Sequence, residues 1–290
     1  MRLFILLVCL SMLNPSWIQA EPIDLERPNI IYISIDGVNR DTLYALIEKK
    51  KLPFLQKIIK KGNVRNLSIQ TDTPTETRYA YSKLLTGNKW INPDQTTVTQ
   101  IPRGQTIFEL VKATRPQTYI ACIFSTPQNR DNPTTLKPFF NLMSPSLSFD
   151  VPEIERSATE VIQLASSFVK QVSTPYFLFF NLTDVEYIGH RYREGSLRYS
   201  EALQACDTAL SNLYQSMTFK QRKQTTFIIT TNYGFHKKSQ SHNQNPNSWI
   251  ISSEPIRYKG NQVDIVPTIL RLLQINPKIP LRLAGKKLVY

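Results

Sequence analysis

The chain has 290 residues, a formal charge of +13, 41% hydrophobic residues and three cysteines. That length suits one large α/β domain, and a disulfide-built miniprotein is excluded because only Cys122 and Cys206 lie beyond the N-terminal segment. The basic residues sit in short clusters such as Lys49 to Lys51, Lys60-Lys61 and Lys286-Lys287. No zinc-finger or RNA-binding motif accompanies them, so the charge suits an anionic small-molecule substrate or ligand and nucleic acid is not expected as a partner.

Residues 1 to 20 have the pattern of a secretory signal. Arg2 supplies the positive start, Leu3 to Leu13 is an apolar run too short to span a bilayer, and Ala20 is the small residue before Glu21. No later stretch is long and apolar enough to cross a membrane, so residues 21–290 are expected to form one exported domain, secreted or periplasmic. The run Ile30 to Ile35 is apolar and β-branched, predicts a strand, and ends at Asp36-Gly37. Helical patterns follow at Asp41 to Lys49 and at Pro53 to Lys61, the second closed by Gly62. Gln105 to Ala113 predicts a helix, Tyr119 to Phe124 a strand, Glu155 to Val172 a helix and Tyr176 to Asn181 a strand. Along Leu197 to Met217, the residues Leu203, Cys206, Ala209, Leu210 and Leu213 make one apolar helix face. Strands at Thr226 to Thr230 and Trp249 to Ile251 and a helix at Val263 to Leu273 complete the pattern. Asn88 to Gln100 and Ser125 to Pro152 are polar, proline-containing loops. Cys122 falls in a strand and Cys206 on a helix, which leaves two buried thiols or a disulfide open. Asn66-Leu67-Ser68 and Asn181-Leu182-Thr183 have the form of glycosylation sequons.

Alternating apolar strands and amphipathic helices predict a single doubly wound, mostly parallel sheet with helices on both faces. Ligands collect at the carboxyl ends of such strands. Asp36 follows the first strand, Asp184 and Glu186 follow Tyr176 to Asn181, and Asn232-Tyr233-Gly234 follows Thr226 to Thr230. Of the chain's three histidines, His190 stands four residues after Glu186 and His242 lies far downstream. Together these three supply the ligand types of one divalent metal site, the alternative for His242 being an ordinary histidine in the loop from His236 to Asn247.

In their order and spacing these fragments resemble the alkaline phosphatase superfamily, most closely its type I phosphodiesterase, nucleotide pyrophosphatase and sulfatase-like branch. The opening IIYISIDGVNRDTL is similar to that family's first strand with its metal-binding Asp, and VDIVPTILRLLQI with LAGKKL to its closing helix and strand. The resemblance implies a nucleophile ten residues before the Gly that closes LLTG, which is Thr77, with helix N-capping as its structural alternative and Thr73 and Thr75 as neighbours. It implies a metal pocket built by Glu186, His190 and His242, with Asp184 in reserve, and a second pocket at Asp36. In that second pocket the family's "S-D-H-G" stands here as Thr231-Asn232-Tyr233-Gly234, which removes two ligands, since Asn and Tyr bind zinc poorly at neutral pH. Ala80 stands where the phosphodiesterase branch has a phosphate-holding Asn, with Arg78 or Lys83 as substitutes for anion contact, and a sulfatase nucleophile would be Cys. The implied activity is metal-dependent hydrolysis of a phosphoester or related anionic ester, with a divalent cofactor, zinc, as one ion rather than two. The rival is a degenerate member that binds an anionic ligand or a protein partner without turnover.

Overall fold

The computed structural model describes residues 28–62, 68–71, 77–89, 104–125, 149–150, 156–242, 245–256 and 259–276. The N-terminal segment expected to be a signal, Asn66 and Leu67 of the first sequon, and most of the two proline-containing loops lie outside them. Among the described residues no helix is long and apolar enough to cross a membrane.

Eight strands form one sheet in the order β4-β3-β5-β1-β6-β7-β2-β8. They are β1 (Asn29–Ile35), β2 (Ser68–Gln70), β3 (Tyr119–Ile123), β4 (Phe149–Asp150), β5 (Tyr176–Leu182), β6 (Thr225–Thr230), β7 (Asn247–Ser252) and β8 (Gly260–Asn261). From β4 to β6 the pairing is parallel, whereas β7 runs antiparallel to both β6 and β2. β1 and β5 are buried along their whole length, as strands covered on both faces must be.

Alternation along β1 divides the core. Ile31, Ile33 and Ile35 pack with α1 (Arg40–Glu48), α2 (Pro53–Gly62), α5 (Ala158–Gln171) and α7 (Leu197–Ser216). Ile30 and Tyr32 face α3 (Thr77–Thr86), α4 (Ile107–Thr114) and α9 (Ile265–Leu272) on the other side. Two further helices, α6 (Asp184–Tyr192) and α8 (Phe219–Lys223), complete the set of described α-helices. Cys122 belongs to one face and Cys206 to the other, and both are free and buried, so no disulfide joins them.

Local chemistry fixes the helix ends. Thr106 and Ser157 make reciprocal capping boxes with Glu109 and Glu160 at the starts of α4 and α5. Pro53 opens α2, and the exposed N–H groups of Phe54 and Leu55 donate to the Asp207 carboxylate of α7 at 3.0 and 2.8 Å. The sheet thus delivers Asp36, α6 and Asn232-Tyr233 to one edge, the carboxyl ends of β1, β5 and β6. A further bridge between Gly37 and Gly234 carries the β1–β6 pairing past the strand ends.

Candidate metal centre

α6 starts two residues after β5 and carries both Glu186 and His190 on one face, four residues apart. The loop after β6 returns His242 to the same place, so one ligand atom each from Glu186, His190 and His242 lies within 4.8 Å of the others. His190 Nδ1 donates to the Gln240 carbonyl at 3.1 Å, which fixes the tautomer and leaves the Nε2 lone pair 3.9 Å from Glu186 Oε1. A hydrogen bond from the other ring nitrogen to a carbonyl is the usual companion of a metal-bound histidine. Burial lowers the His190 pKa, which keeps the ring neutral and able to ligate. Phe235 packs edge-on against His190 with centroids 4.9 Å apart, and His242 stacks on Tyr233 at 3.8 Å.

Glu186 is buried, and its Oε2 has no hydrogen-bond partner. Burial and then the nearby Asp36 charge raise its pKa. An unpartnered buried carboxylate oxygen beside two imidazoles is a donor set that fits a divalent ion, whose charge would offset both penalties. Asp184, the reserve ligand, instead turns to the N-terminus of α5 and accepts from the Ala158 N–H at 3.3 Å.

The second pocket does not fit an ion. Asp36 Oδ1 accepts from Ser34 at 2.5 Å and from the Tyr81 phenol at 2.8 Å. Its Oδ2 accepts from Tyr81 at 2.6 Å and from Asn181 Nδ2 at 2.9 Å. Asn232 Oδ1 is taken by the backbone N–H groups of Gly37, at 3.1 Å, and Tyr233, at 2.7 Å. The Tyr233 phenol donates to Glu186 Oε1, and the Thr77 hydroxyl lies 3.2 Å from that phenol, so Thr77 is the donor of the pair. Hydrogen bonds from within the protein therefore take the oxygens that a second cation would need. Burial is the largest cause of the raised Asp36 pKa, and its hydrogen bonds pull the other way.

Of the residues expected from sequence, the three histidine-pocket ligands, Asp36, Thr77, Asn232 and Tyr233 all converge on this edge. Lys83, the other residue expected for anion contact, is buried in the last turn of α3, six residues beyond Thr77, or about 9 Å along the axis. Tyr81, one helical turn beyond Thr77, is the α3 residue that faces Asp36. The side chain of Arg78 lies outside the described residues. Ser34, Tyr81 and Asn181 were not expected as site residues. Asn181, the last residue of the expected strand and the first of a sequon, is buried and bonds Asp36 and the Ser125 carbonyl.

The fold and the edge constellation define the class: this is an alkaline phosphatase superfamily protein. Residues 88–282 match the model of the type I phosphodiesterase / nucleotide pyrophosphatase family, and the chain belongs to that family. Similar solved structures include the 2-O GAG sulfatase BT1596, with 12% identity, 90% of this chain and 73% of that one covered, and a TM-score of 0.59. Alkaline phosphatase from the Antarctic bacterium TAB5 shows 10% identity over 86% of this chain and 98% of its own, with a TM-score of 0.57. The lipoteichoic acid synthase LtaP from Listeria monocytogenes shows 12% identity over 91% and 76%, with a TM-score of 0.59. A 2,3-bisphosphoglycerate-independent phosphoglycerate mutase from Gracilaria tenuistipitata var. liui is 29% identical over 151 residues, 47% of this chain. The chain spans only 28% of that relative's length.

Proposed function

We propose that this chain is an exported hydrolase of phosphoesters or related anionic esters that works with one divalent ion, most simply zinc. The observation that carries the reading is the convergence of Glu186, His190 and His242 within 4.8 Å, with the Thr77 hydroxyl joined to Glu186 through Tyr233. A bound divalent ion supplies positive charge and Lewis acidity to an ester oxygen. The chain's own residues do the rest. Thr77 opens α3, where the helix N-terminus favours an anion, and presents its hydroxyl as the attacking group. Tyr233 orients that hydroxyl, and Asp36, held by three neighbours, shapes the floor of the pocket. With no second cation beside Thr77, turnover is expected to be slow.

The closed second pocket favours one rival, a member that binds an anionic ligand or a partner without hydrolysis. Elemental analysis of protein purified without chelator, combined with turnover of an aryl phosphodiester, separates the two. One zinc per chain and an activity removed by Thr77→Ala support the hydrolase. One zinc with no Thr77-dependent turnover leaves the binder, and no metal at all sinks the hydrolase and favours the binder. The single-domain extent, residues 21–290, and cleavage after residue 20 belong to this proposal and are checked by N-terminal sequencing of the exported protein.

A further inference from the structure

The opposite edge of the sheet carries a different kind of surface. Along α2 the exposed Lys57, Lys60 and Lys61 fall at spacings of three and four, which places them on one helix face. That face meets α8, whose sequence FKQRK buries none of its residues and adds Lys220, Arg222 and Lys223. The two elements are joined directly: Lys61 Nζ donates to the Arg222 carbonyl at 3.2 Å. Rings hold the cations together. The Lys57 ammonium lies 4.1 Å from the centre of the Tyr214 ring, and the Arg222 guanidinium lies 5.3 Å from the same centre. Lys223 sits 4.7 Å over the ring of Phe219, which is 67% exposed. Drawing like charges into one patch costs free energy that an anionic partner recovers.

The position of this patch argues for what that partner is. Gln224, immediately after α8, accepts from the N–H of Asn29 at 3.1 Å, so the patch lies at the amino end of β1. The candidate metal centre follows the other end of that seven-residue strand, about 20 Å away. The exposed Phe219 ring among Lys220, Arg222 and Lys223 adds an apolar contact to the charge, which suits a bilayer surface better than a dissolved polyanion. We propose that the α2–α8 edge docks this protein on a membrane surface rich in anionic lipid, with the metal centre facing away from the bilayer. The inference is independent of whether Thr77 hydrolyses anything.

Vesicle sedimentation tests it with the exported protein, residues 21–290, so that the apolar run Leu3 to Leu13 contributes nothing to the binding. Wild-type protein is expected to bind phosphatidylcholine vesicles containing one-fifth phosphatidylserine at low salt and to leave them at high salt. The triple variant Lys57→Glu, Lys60→Glu, Lys223→Glu should weaken that partition by about a hundredfold or more. Its zinc affinity should stay unchanged, because the substitutions lie at the far edge. Phe219→Ser alone should weaken vesicle binding severalfold and leave heparin binding unaltered. Equal wild-type binding to pure phosphatidylcholine would overturn the proposal, as would a triple variant that partitions like wild type. Tight heparin binding lost in the triple variant, without any vesicle binding, would reassign the edge to a soluble polyanion and overturn it too.

Discussion

Two pockets share one edge of the sheet, and they have opposite chemistry. In the pocket of Glu186, His190 and His242 a carboxylate oxygen is buried without a partner and two imidazoles converge on it. Around Asp36 every oxygen is answered by a hydroxyl or amide from the protein itself. One pocket leaves a carboxylate oxygen open to a cation and the other leaves none. Loss of the Asp and His expected after β6 thus did not leave a hole, because Asn232 turned its oxygen to the backbone and Tyr233 reached across to Glu186.

The largest expected effect tests the first half of that contrast. His190→Ala or His242→Ala should lower zinc affinity by at least about a hundredfold in calorimetry, since each removes a ligand from a three-ligand site. Asp36→Asn should leave affinity within a few-fold of wild type. If Asp36→Asn empties the chain of metal and His242→Ala does not, the two pockets have been assigned the wrong way round.

The second half is tested by repair. Asn232→Asp with Tyr233→His restores the missing ligand types, yet Tyr81 still holds both oxygens of Asp36. The double variant is therefore expected to carry one zinc per chain, and addition of Tyr81→Phe to raise the count to two. A second ion already present in the double variant would show that the Tyr81 phenol yields readily and that its occupation of Asp36 is incidental.

A smaller effect concerns how α6 sits. At Gly189 an added Cβ would lie 2.7 Å from Phe235 Cζ, on the ring that packs against His190. Gly189→Ala should cost about 1–3 kcal/mol through overpacking and lower the melting temperature by a few degrees. Zinc affinity should fall by less than in the ligand deletions. A variant as stable as wild type would mean that Phe235 is free to move and does not position His190.

The fold was largely legible because strands covered on both faces must be apolar throughout, as YFLFFNL in β5 is. β2, β4 and β8 were not, since strands of two or three residues lie below the length at which a pattern forms. α6 was read as a motif and not as a helix, because DVEYIGHRY contains a glycine and follows β5 almost without a turn. In the site, scarcity made the metal ligands visible: two histidines out of three, one of them four residues after a carboxylate. Tyr81 and Ser34 gave no such signal, since each is ordinary in its element. The spacing of Tyr81 one turn after Thr77 was the available clue. Asn181 could have been found by asking what a polar amide does inside an otherwise apolar strand, because burial obliges it to find a partner.

The smallest predicted effect is a pH dependence, and it distinguishes the pockets by sign. Burial raises the pKa of both Asp36 and Glu186, so the metal-free fold holds their protons more tightly than the unfolded chain does. Stability from groups of this kind is fully present below the unfolded carboxylate value, near ~4, and is lost as pH rises through the raised folded values. The chelated protein should therefore melt a few degrees lower at pH 9 than at pH 6. Zinc favours ionised Glu186 and releases its proton, so saturating zinc should remove most of that decline, while Asp36 leaves a remainder. Glu186→Gln should reproduce the flattened profile without any metal, and differential scanning calorimetry across the range reads all three curves. A chelated wild-type protein whose melting temperature rises from pH 6 to pH 9 would mean that these carboxylates are already ionised in the fold, and that the Glu186 pocket does not need a cation to balance it.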